Sequence, residues 1–192
     1  MTYCHATPTP RQPDEPLDTA ALARAVAELS LLRGTFTLRS GRTSSYYLDK
    51  YLFSTKPEVL GAVAQHLAAR LAGIKPDRLA GAELGGIPLV TAASLATGVP
   101  CLFVRNQRKD YGTAKRLEGT LKPGQRTVLI EDVVTTGGQA VEAVHDLRNE
   151  GAIVEHVIAV IDREEGGAAN FAAADVAFEA LLTKTDMGID DE

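Results

Sequence analysis

This chain of 192 residues lacks several features that would assign it to a specialised class of protein. It has no tryptophan and only two cysteines, Cys4 and Cys101, whose wide separation matches neither a metal-binding nor a redox motif. Reduced thiols and a cytoplasmic location are therefore the expectation. No apolar run approaches the roughly 20 residues of a membrane-spanning helix. The N-terminus shows no basic stretch followed by an apolar segment, so the sequence predicts neither secretion nor a membrane partner.

The histidines and the overall charge argue against two further classes: proteins with a histidine-ligated metal and proteins whose main partner is nucleic acid. The four histidines are dispersed (His5, His66, His145 and His156) and show no metal-ligand spacing, so we predict no metal-binding residues in the protein. The formal net charge is −5, which argues against nucleic acid as the main partner. In such an acidic chain, a local cluster of basic residues becomes more informative.

Composition along the chain predicts a tail and one domain. Residues 1–16 contain four prolines and almost no large apolar side chain, so we expect a flexible N-terminal tail. Residues 17–192 have the length of a single domain with a substantial core.

Strand and helix patterns alternate along that domain. We predict helices over residues 18–32, 57–73, 87–97 and 139–150, and strands over residues 79–82, 101–104, 128–131, 154–161 and 176–182. Asp18 is the expected N-cap of the first helix and Gly34 its expected stop. The segment from Phe36 to Leu48 alternates apolar and polar residues around a Ser-Gly turn, which predicts a hairpin. The alternation favours an α/β fold with a parallel central sheet covered by helices.

The most informative motif is the segment Val128–Gln139. A buried strand leads into two acids, Glu131 and Asp132, and then into the loop Thr135–Gly138, which is followed by a helix. Backbone N–H groups of such a loop, with the positive end of the helix, suit a phosphate. Carboxylates accept hydrogen bonds from vicinal sugar hydroxyls. The motif therefore predicts a site for ribose 5-phosphate; the alternative is an ordinary buried strand with a polar turn.

A basic segment at residues 105–119 connects two predicted strands. It contains five cationic residues: Arg105, Arg108, Lys109, Lys115 and Arg116. Long connections in compact domains often serve as lids, and this one leaves the carboxyl end of a strand, where ligands bind in open α/β sheets. We favour a mobile catalytic loop over the alternative, a solvated surface loop.

Two other strand ends carry weaker signals. The glycine-rich turn Gly81–Pro88 follows a strand and opens a helix, so its backbone is suited to a second phosphate. Arg163 follows the strand at residues 154–161, and its guanidinium suits a bidentate contact with a carboxylate. The alternative role for Arg163 is a salt bridge to a neighbouring acid.

Together these motifs resemble a known family. The acid pair with its Thr-Thr-Gly-Gly loop resembles the phosphoribosyl pyrophosphate signature of type I phosphoribosyltransferases. Within that group the chain is similar to the orotate phosphoribosyltransferases. The supporting segments are Phe36–Gly41, Ser45–Asp49, Lys109–Thr113, Leu117–Gly119 and Asp162–Glu164. Purine-salvage relatives share the signature, whereas the hairpin and the Asp-Arg-Glu segment are more specific.

The resemblance implies a fold, a reaction and partners. The expected fold is a parallel central sheet flanked by helices, with a small hood formed by residues 17–55. The expected reaction transfers ribose 5-phosphate from phosphoribosyl pyrophosphate to orotate, giving orotidine 5-monophosphate in pyrimidine biosynthesis. Mg²⁺ is the implied cofactor, held mainly by substrate and water. The implied assembly is a homodimer in which the loop of one subunit closes over the site of the other.

The same resemblance assigns residues to three roles. Lys109, Glu131 and Asp132 are the predicted catalytic residues. The predicted phosphoribosyl pyrophosphate site comprises Arg105, Lys109, Tyr111, Glu131, Asp132, Val133, Val134, Thr135, Thr136, Gly137, Gly138 and Gln139. The predicted orotate site comprises Arg39, Tyr46, Tyr47, Thr135 and Arg163.

The chain departs from the family pattern at three positions. Asn106 stands where a lysine is common, Tyr111 where many members have histidine, and Gly85 at a place that can hold a lysine. Two other functions share part of the pattern: a purine-salvage phosphoribosyltransferase, and a non-catalytic phosphoribosyl pyrophosphate sensor that controls transcription. The first would need no Arg163 to hold a carboxylate, and the second would need a DNA-binding module or a basic face.

Overall fold

Helices and strands alternate along the part of the chain that the computed structural model describes, residues 17–37, 43–106 and 116–189. The helices are α1 (Thr19–Ser30), α2 (Lys50–Ser54), α3 (Pro57–Ile74), α4 (Gly86–Thr97), α5 (Gly138–Asn149) and α6 (Gly167–Ala173). The strands are β1 (Leu31–Thr37), β2 (Thr43–Leu48), β3 (Arg78–Ala82), β4 (Cys101–Val104), β5 (Leu117–Glu118), β6 (Arg126–Val134), β7 (Ile153–Asp162) and β8 (Ala177–Thr183). The predicted tail, residues 1–16, lies outside the described residues.

The central sheet has the strand order β5-β4-β3-β6-β7-β8. All neighbours in it are parallel except the edge strand β5, which runs antiparallel to β4. Side chains of successive residues face opposite sides of a strand, and both sides are buried here. Ile130 belongs to one core cluster, with residues of α3 and α4, and Leu129 belongs to the other, with residues of α5. The predicted α/β fold with a parallel sheet between helices is confirmed.

The hairpin forms a second, two-stranded sheet. β1 and β2 pair antiparallel, with Leu31 opposite Leu48 and Phe36 opposite Ser44. Helix α1 is capped as predicted, because the Ala21 N–H donates to Asp18 Oδ1 at 2.7 Å. Its predicted end was wrong: α1 stops at Ser30, since the next residues pair with β2, and Gly34 lies inside β1.

The strand that carries the acid pair is longer than predicted. β6 continues to Val134 because Glu131 pairs with Ala159 and Val133 with Ile161 in the β7 ladder. Both acids therefore lie within the strand, whereas the predicted strand ended at Glu131. The short elements α2, β5 and α6 were not predicted. No helix of the described residues is long and apolar enough to cross a membrane.

Candidate active site

The carboxyl ends of the parallel strands β3, β4, β6 and β7 meet at one edge of the sheet, where a cleft of about 320 Å³ opens. Its lining includes polar and charged side chains of several elements: Lys50, Glu83, Arg105, Asn106, Arg116, Glu131, Gln139, Glu142 and Asp146. This is the place at which open α/β sheets bind ligands. Three predicted phosphoribosyl pyrophosphate residues, Arg105, Glu131 and Gln139, line the cleft.

Asp132 is buried beside a lysine from the segment that follows the hairpin. Its side chain is 1% exposed, and Lys50 Nζ lies 3.0 Å from Oδ2 and 3.2 Å from Oδ1. Lys50 is the first residue of α2, whose N-cap Asp49 accepts the Tyr51 N–H at 3.1 Å. Burial alone would lower the pKa of Lys50, but the charge of Asp132 outweighs it and raises that pKa above its ordinary value.

Glu131 faces the cleft with one carboxylate oxygen unpaired. Its Oε2 is buried and has no hydrogen-bond partner among the described residues. Burial raises the pKa of Glu131 well above its ordinary value, and the negative charge of Asp132 raises it further; the charge of Lys50 opposes both effects. The two acids are therefore in different states: Asp132 has a cation, and Glu131 retains an affinity for a proton or for hydroxyl donors of a ligand.

Gly85 lies against the Asp132 carboxylate. A Cβ atom built at Gly85 would overlap Asp132 Oδ2, so no side chain fits there while Asp132 keeps its position. This contact gives a physical reason for the departure noted in the sequence, where other members can hold a lysine. The glycine-rich turn thus supplies backbone to the site and no cation.

The loop after β6 leads into α5 through a left-handed glycine. Gly137 is the N-cap of α5 at φ 77°, and a Cβ there would approach the Phe171 ring to 3.0 Å. Asn170 Nδ2 donates to the Thr136 carbonyl at 2.8 Å and so fixes the loop. The first turn of α5 contains no acidic residue. The unpaired N–H groups and dipole of this helix are thus available to a phosphate.

Arg163 and Tyr46 meet at the other side of this edge. Arg163 Nη2 donates to the Tyr46 hydroxyl at 3.0 Å, and the guanidinium carbon lies 5.5 Å from the centre of the Tyr46 ring. The same nitrogen lies 2.9 Å from Glu165, which is the alternative role considered for Arg163. The Arg163 N–H donates to the carbonyl of Val134, the neighbour of Thr135, at 2.8 Å. Three residues predicted to bind orotate therefore lie close together.

The other two residues predicted to bind orotate are Tyr47 and Arg39. Tyr47 is 46% exposed, and its ring centre lies 5.7 Å from that of Phe36. Arg39 lies outside the described residues, as do Lys109 and Tyr111 of the basic segment. Their assigned roles stay predictions.

The described ends of the basic segment are anchored to each other and to the sheet. Arg105 N–H donates to the Arg116 carbonyl at 2.8 Å, and Arg116 Nη1 lies 3.0 Å from Asp146 Oδ2. Asn106 N–H donates to Glu83 Oε2 at 3.0 Å, and its side-chain amide donates to the Glu83 carbonyl at 3.0 Å. Asn106, where a lysine is common, thus anchors the start of the segment.

Six polar or charged residues of the cleft are not among the predicted binding residues: Lys50, Glu83, Asn106, Arg116, Glu142 and Asp146. Asn106 and Arg116 lie in the basic segment that the sequence predicted as a catalytic loop. A sequence signal also existed for Glu142 and Asp146, because they are four positions apart on the helix that follows the signature loop and so share one face. Among residues 17–37, 43–106 and 116–189, no group of three or more His, Cys, Asp or Glu side chains is arranged to hold a metal ion.

Comparisons with known proteins identify the family of this chain. A profile described as "Phosphoribosyl transferase domain" matches residues 55–183. The orotate phosphoribosyltransferase of Haloquadratum walsbyi is 46% identical over 159 residues, covering 83% of this chain and 86% of that protein. The enzyme of the same name from Halobacterium salinarum is 47% identical over 154 residues, covering 80% of this chain and 87% of that protein.

A solved structure shares the fold as well as the sequence pattern. It is Mycobacterium tuberculosis orotate phosphoribosyltransferase in complex with 5-phospho-α-D-ribosyl 1-diphosphate, which superposes with a TM-score of 0.76 at 31% identity and covers 88% of this chain and 98% of that one. Because the relatives match most of their own length and most of this chain, the resemblance extends well beyond the signature loop. The chain belongs to the orotate phosphoribosyltransferase family of phosphoribosyl transferase domains.

Proposed function

We infer that this protein transfers ribose 5-phosphate from phosphoribosyl pyrophosphate to N1 of orotate, giving orotidine 5-monophosphate and pyrophosphate in pyrimidine biosynthesis. One observation carries the choice of substrates: the acid pair on β6 and the guanidinium after β7 lie at the ends of two adjacent parallel strands, with the signature loop beside both. Acids, loop and guanidinium are complementary to a ribose, a phosphate and a carboxylate.

The phosphate and ribose of the donor fit the β6 end. We propose that the loop Thr135–Gly138 and the first turn of α5 bind the 5-phosphate through backbone N–H groups, as helix N-termini commonly do. Glu131 and Asp132 accept the ribose hydroxyls. In the reaction the C1–O bond breaks with its electron pair passing to pyrophosphate, so positive charge develops on the ribose. The nearby negative charge of Asp132 stabilises that centre.

The leaving pyrophosphate requires cations. Arg105 lines the cleft, where its guanidinium lies 3.8 Å from Glu118 Oε1. We propose that Arg105 and Lys109 of the basic segment neutralise the charge that develops on pyrophosphate. Mg²⁺ bound to the substrate oxygens and water would supply further positive charge.

The acceptor fits the Arg163 end. The Arg163 side chain is 20% exposed, and its buried Nε has no hydrogen-bond partner within the described part of the chain. We propose that this guanidinium binds the orotate carboxylate and that the Tyr46 ring and Thr135 orient the base. The N1–C1 bond can form in line with the leaving group only if the base is held in this way, since orientation supplies a large part of the barrier reduction.

The remaining expectations belong to the same proposal. We propose one phosphoribosyltransferase domain at residues 17–192, a hood at 17–55, a catalytic loop at 105–119, a homodimer and a cytoplasmic location. The purine-salvage and transcription-sensor alternatives are less favoured. A purine offers Arg163 no carboxylate, and the formal net charge of −5 does not favour a nucleic-acid partner.

The decay of orotate absorbance on addition of phosphoribosyl pyrophosphate and Mg²⁺ tests this function. Uracil, adenine and hypoxanthine are the competing acceptors, and omission of Mg²⁺ tests the cofactor. We expect orotate to be consumed and the three other bases to react slowly. Preference for adenine or hypoxanthine would contradict the assignment within the family.

A further inference from the structure

Lys50 joins two parts of the chain that are 82 positions apart. It begins α2, directly after the hairpin, whereas its partner Asp132 lies in the central strand β6. The ammonium contacts both carboxylate oxygens, at 3.0 and 3.2 Å. An ion pair therefore connects the segment after the hairpin to Asp132, the acid proposed to bind the ribose.

The environment of this pair distinguishes it from a surface salt bridge. The Asp132 side chain is 1% exposed and that of Lys50 is 36% exposed. Gly85 closes the other side of the carboxylate, because a Cβ at Gly85 would overlap it. A carboxylate that is withdrawn from water depends on its charged partner far more than an exposed one does. Lys50 is the cation that the structure places on Asp132.

The same segment of chain also reaches Arg163, the residue proposed to bind the acceptor. Tyr46, four residues before Lys50, accepts a hydrogen bond from Arg163 at 3.0 Å. The short segment from Tyr46 to Lys50 therefore contacts both Asp132, which is proposed to bind the ribose, and Arg163, which is proposed to bind the carboxylate. A shift of the segment would displace both.

We propose that Lys50 is a positioning residue of the ribose site, which holds the Asp132 carboxylate in place and oriented toward the ribose hydroxyls. This inference rests on the proposed function. It deepens that function, because it assigns a task to a residue that is neither in the signature loop nor in the basic segment.

Several ionisable groups surround the pair and contribute to its titration. They are Glu131 on β6, Asp49 and Tyr51 beside Lys50, Glu83 after β3, Arg105 and Arg116 at the ends of the basic segment, and Glu142 and Asp146 on α5. The negative charge of Glu131 adds to the effect of Asp132 in raising the pKa of Lys50. Without the lysine, the two adjacent acids would face each other with no cation in direct contact, so protonation of one of them would extend to higher pH.

The pH profile of kcat/KM for phosphoribosyl pyrophosphate tests the proposal. We expect Lys50→Met to move the acidic limb upward by about 1–3 pH units, the range in which one adjacent opposite charge shifts a carboxyl pKa. Lys50→Arg should keep the limb near its wild-type position, because it keeps the charge. Lys56→Met is the matched control, since Lys56 is exposed and does not line the cleft; its profile should match that of the wild type.

Two results would overturn the inference while leaving the function intact. One is an active Lys50→Met variant whose acidic limb coincides with that of the wild type. The other is a loss of activity in Lys50→Met that Lys50→Arg shares in full. A wild-type protein that does not consume orotate would instead overturn the proposed function, and with it this role for Lys50.

A double-mutant cycle of melting temperatures tests the same proposal even if Lys50→Met folds poorly. The melting temperatures of wild type, Lys50→Met, Asp132→Asn and the double variant are compared. If Lys50 acts on Asp132, Lys50→Met should lower the melting temperature in the wild type and have much less effect when Asp132 is already asparagine. Equal losses in the two backgrounds would show that Lys50 acts elsewhere and would overturn the proposal.

Discussion

The guanidinium of Arg163 donates to the hydroxyl of Tyr46 at 3.0 Å and lies against the face of its ring, with 5.5 Å between the guanidinium carbon and the ring centre. The two residues are 117 positions apart, on the hairpin and at the end of β7. Tyr46 fixes the plane of the guanidinium, and the Arg163 Nε remains without a hydrogen-bond partner among the described residues. An oriented guanidinium suits the recognition of a planar carboxylate, which in this structure would compete with Glu165, 2.9 Å from Nη2.

The first prediction follows from this pair. Arg163→Leu should raise KM for orotate about ten- to a hundredfold, because a charge-assisted hydrogen bond contributes about 1.5–3 kcal/mol. KM for phosphoribosyl pyrophosphate should change little. Tyr46→Phe keeps the ring and loses the hydroxyl, so its effect on the orotate KM should be smaller. Initial rates at varied concentrations of each substrate give both constants.

Two controls belong to that prediction. Arg70→Leu removes an arginine whose ion pair with Glu179 lies on the surface, and it should leave both constants unchanged. Uracil, which has no carboxylate, should be a poor acceptor for the wild type and should be affected much less by Arg163→Leu. An unchanged orotate KM in Arg163→Leu would remove this residue from the acceptor site without affecting the assignment of the enzyme.

A second prediction concerns Lys109, which lies outside the described residues. If its charge acts on pyrophosphate as the C1–O bond breaks, Lys109→Ala should lower kcat and kcat/KM together, by about the 2.7–4 kcal/mol typical for loss of one transition-state donor. Binding of either substrate should weaken far less. Steady-state turnover under saturating substrates measures the effect. Wild-type turnover in Lys109→Ala would contradict the role.

The third prediction tests the close approach of Gly85 to Asp132. Gly85→Ala should lower the free energy of unfolding by about 1–3 kcal/mol, because the added methyl group must displace a buried carboxylate, and kcat should fall with it. Gly61→Ala is the matched control. Gly61 lies inside α3, where a Cβ meets nothing within 4 Å, so alanine should raise stability by about 0.5–1 kcal/mol. Equal stability of the two variants would contradict the overlap.

Local signals explain which elements the sequence predicts well. Asp18 caps α1 and Pro57 begins α3, as expected, because both effects act within one helical turn. The central strands were predicted from runs of apolar residues that are buried on both faces of the sheet. The end of α1 was predicted wrongly, since the pairing of Leu31 with Leu48 is a contact between strands and leaves no local signal.

The candidate site likewise has features that local sequence patterns predict and features that they do not. The acid pair and the glycine loop follow one another in the chain, so their motif is visible in the sequence. The Lys50–Asp132 pair is not visible, because it depends on how α2, a helix of five residues with no apolar period, packs against β6. The overlap that excludes a side chain at Gly85 is likewise invisible in the sequence, because it depends on the distance between Gly85, after β3, and Asp132 on β6. Short elements and contacts between distant segments are fixed by tertiary packing, which local patterns do not record.

The last prediction uses the buried Glu131. Its pKa in the folded protein lies well above the ordinary value of 4.5, first because it is buried and second because Asp132 is adjacent. The folded state therefore binds this proton more tightly than the unfolded state does. By linkage, the contribution of Glu131 to stability falls as the pH rises from about 4.5 through the folded pKa, and a constant penalty remains above it. Glu131→Gln removes that penalty and keeps the shape of the side chain.

We therefore expect Glu131→Gln to melt at a higher temperature than the wild type at pH 8, and the difference to disappear as the pH falls below about 4.5. Its activity should collapse, because the amide has one acceptor oxygen where the carboxylate has two, and it carries no negative charge. Asp132→Asn is the contrasting variant: it should also lose activity, but it should gain no stability, since it leaves Lys50 without its partner. Thermal melts across this pH range, with activity measured on the same samples, separate the two acids. A Glu131→Gln variant that is less stable than the wild type at pH 8 would show that the glutamate is a structural member of the buried cluster, and its place in the ribose site would have to be given up.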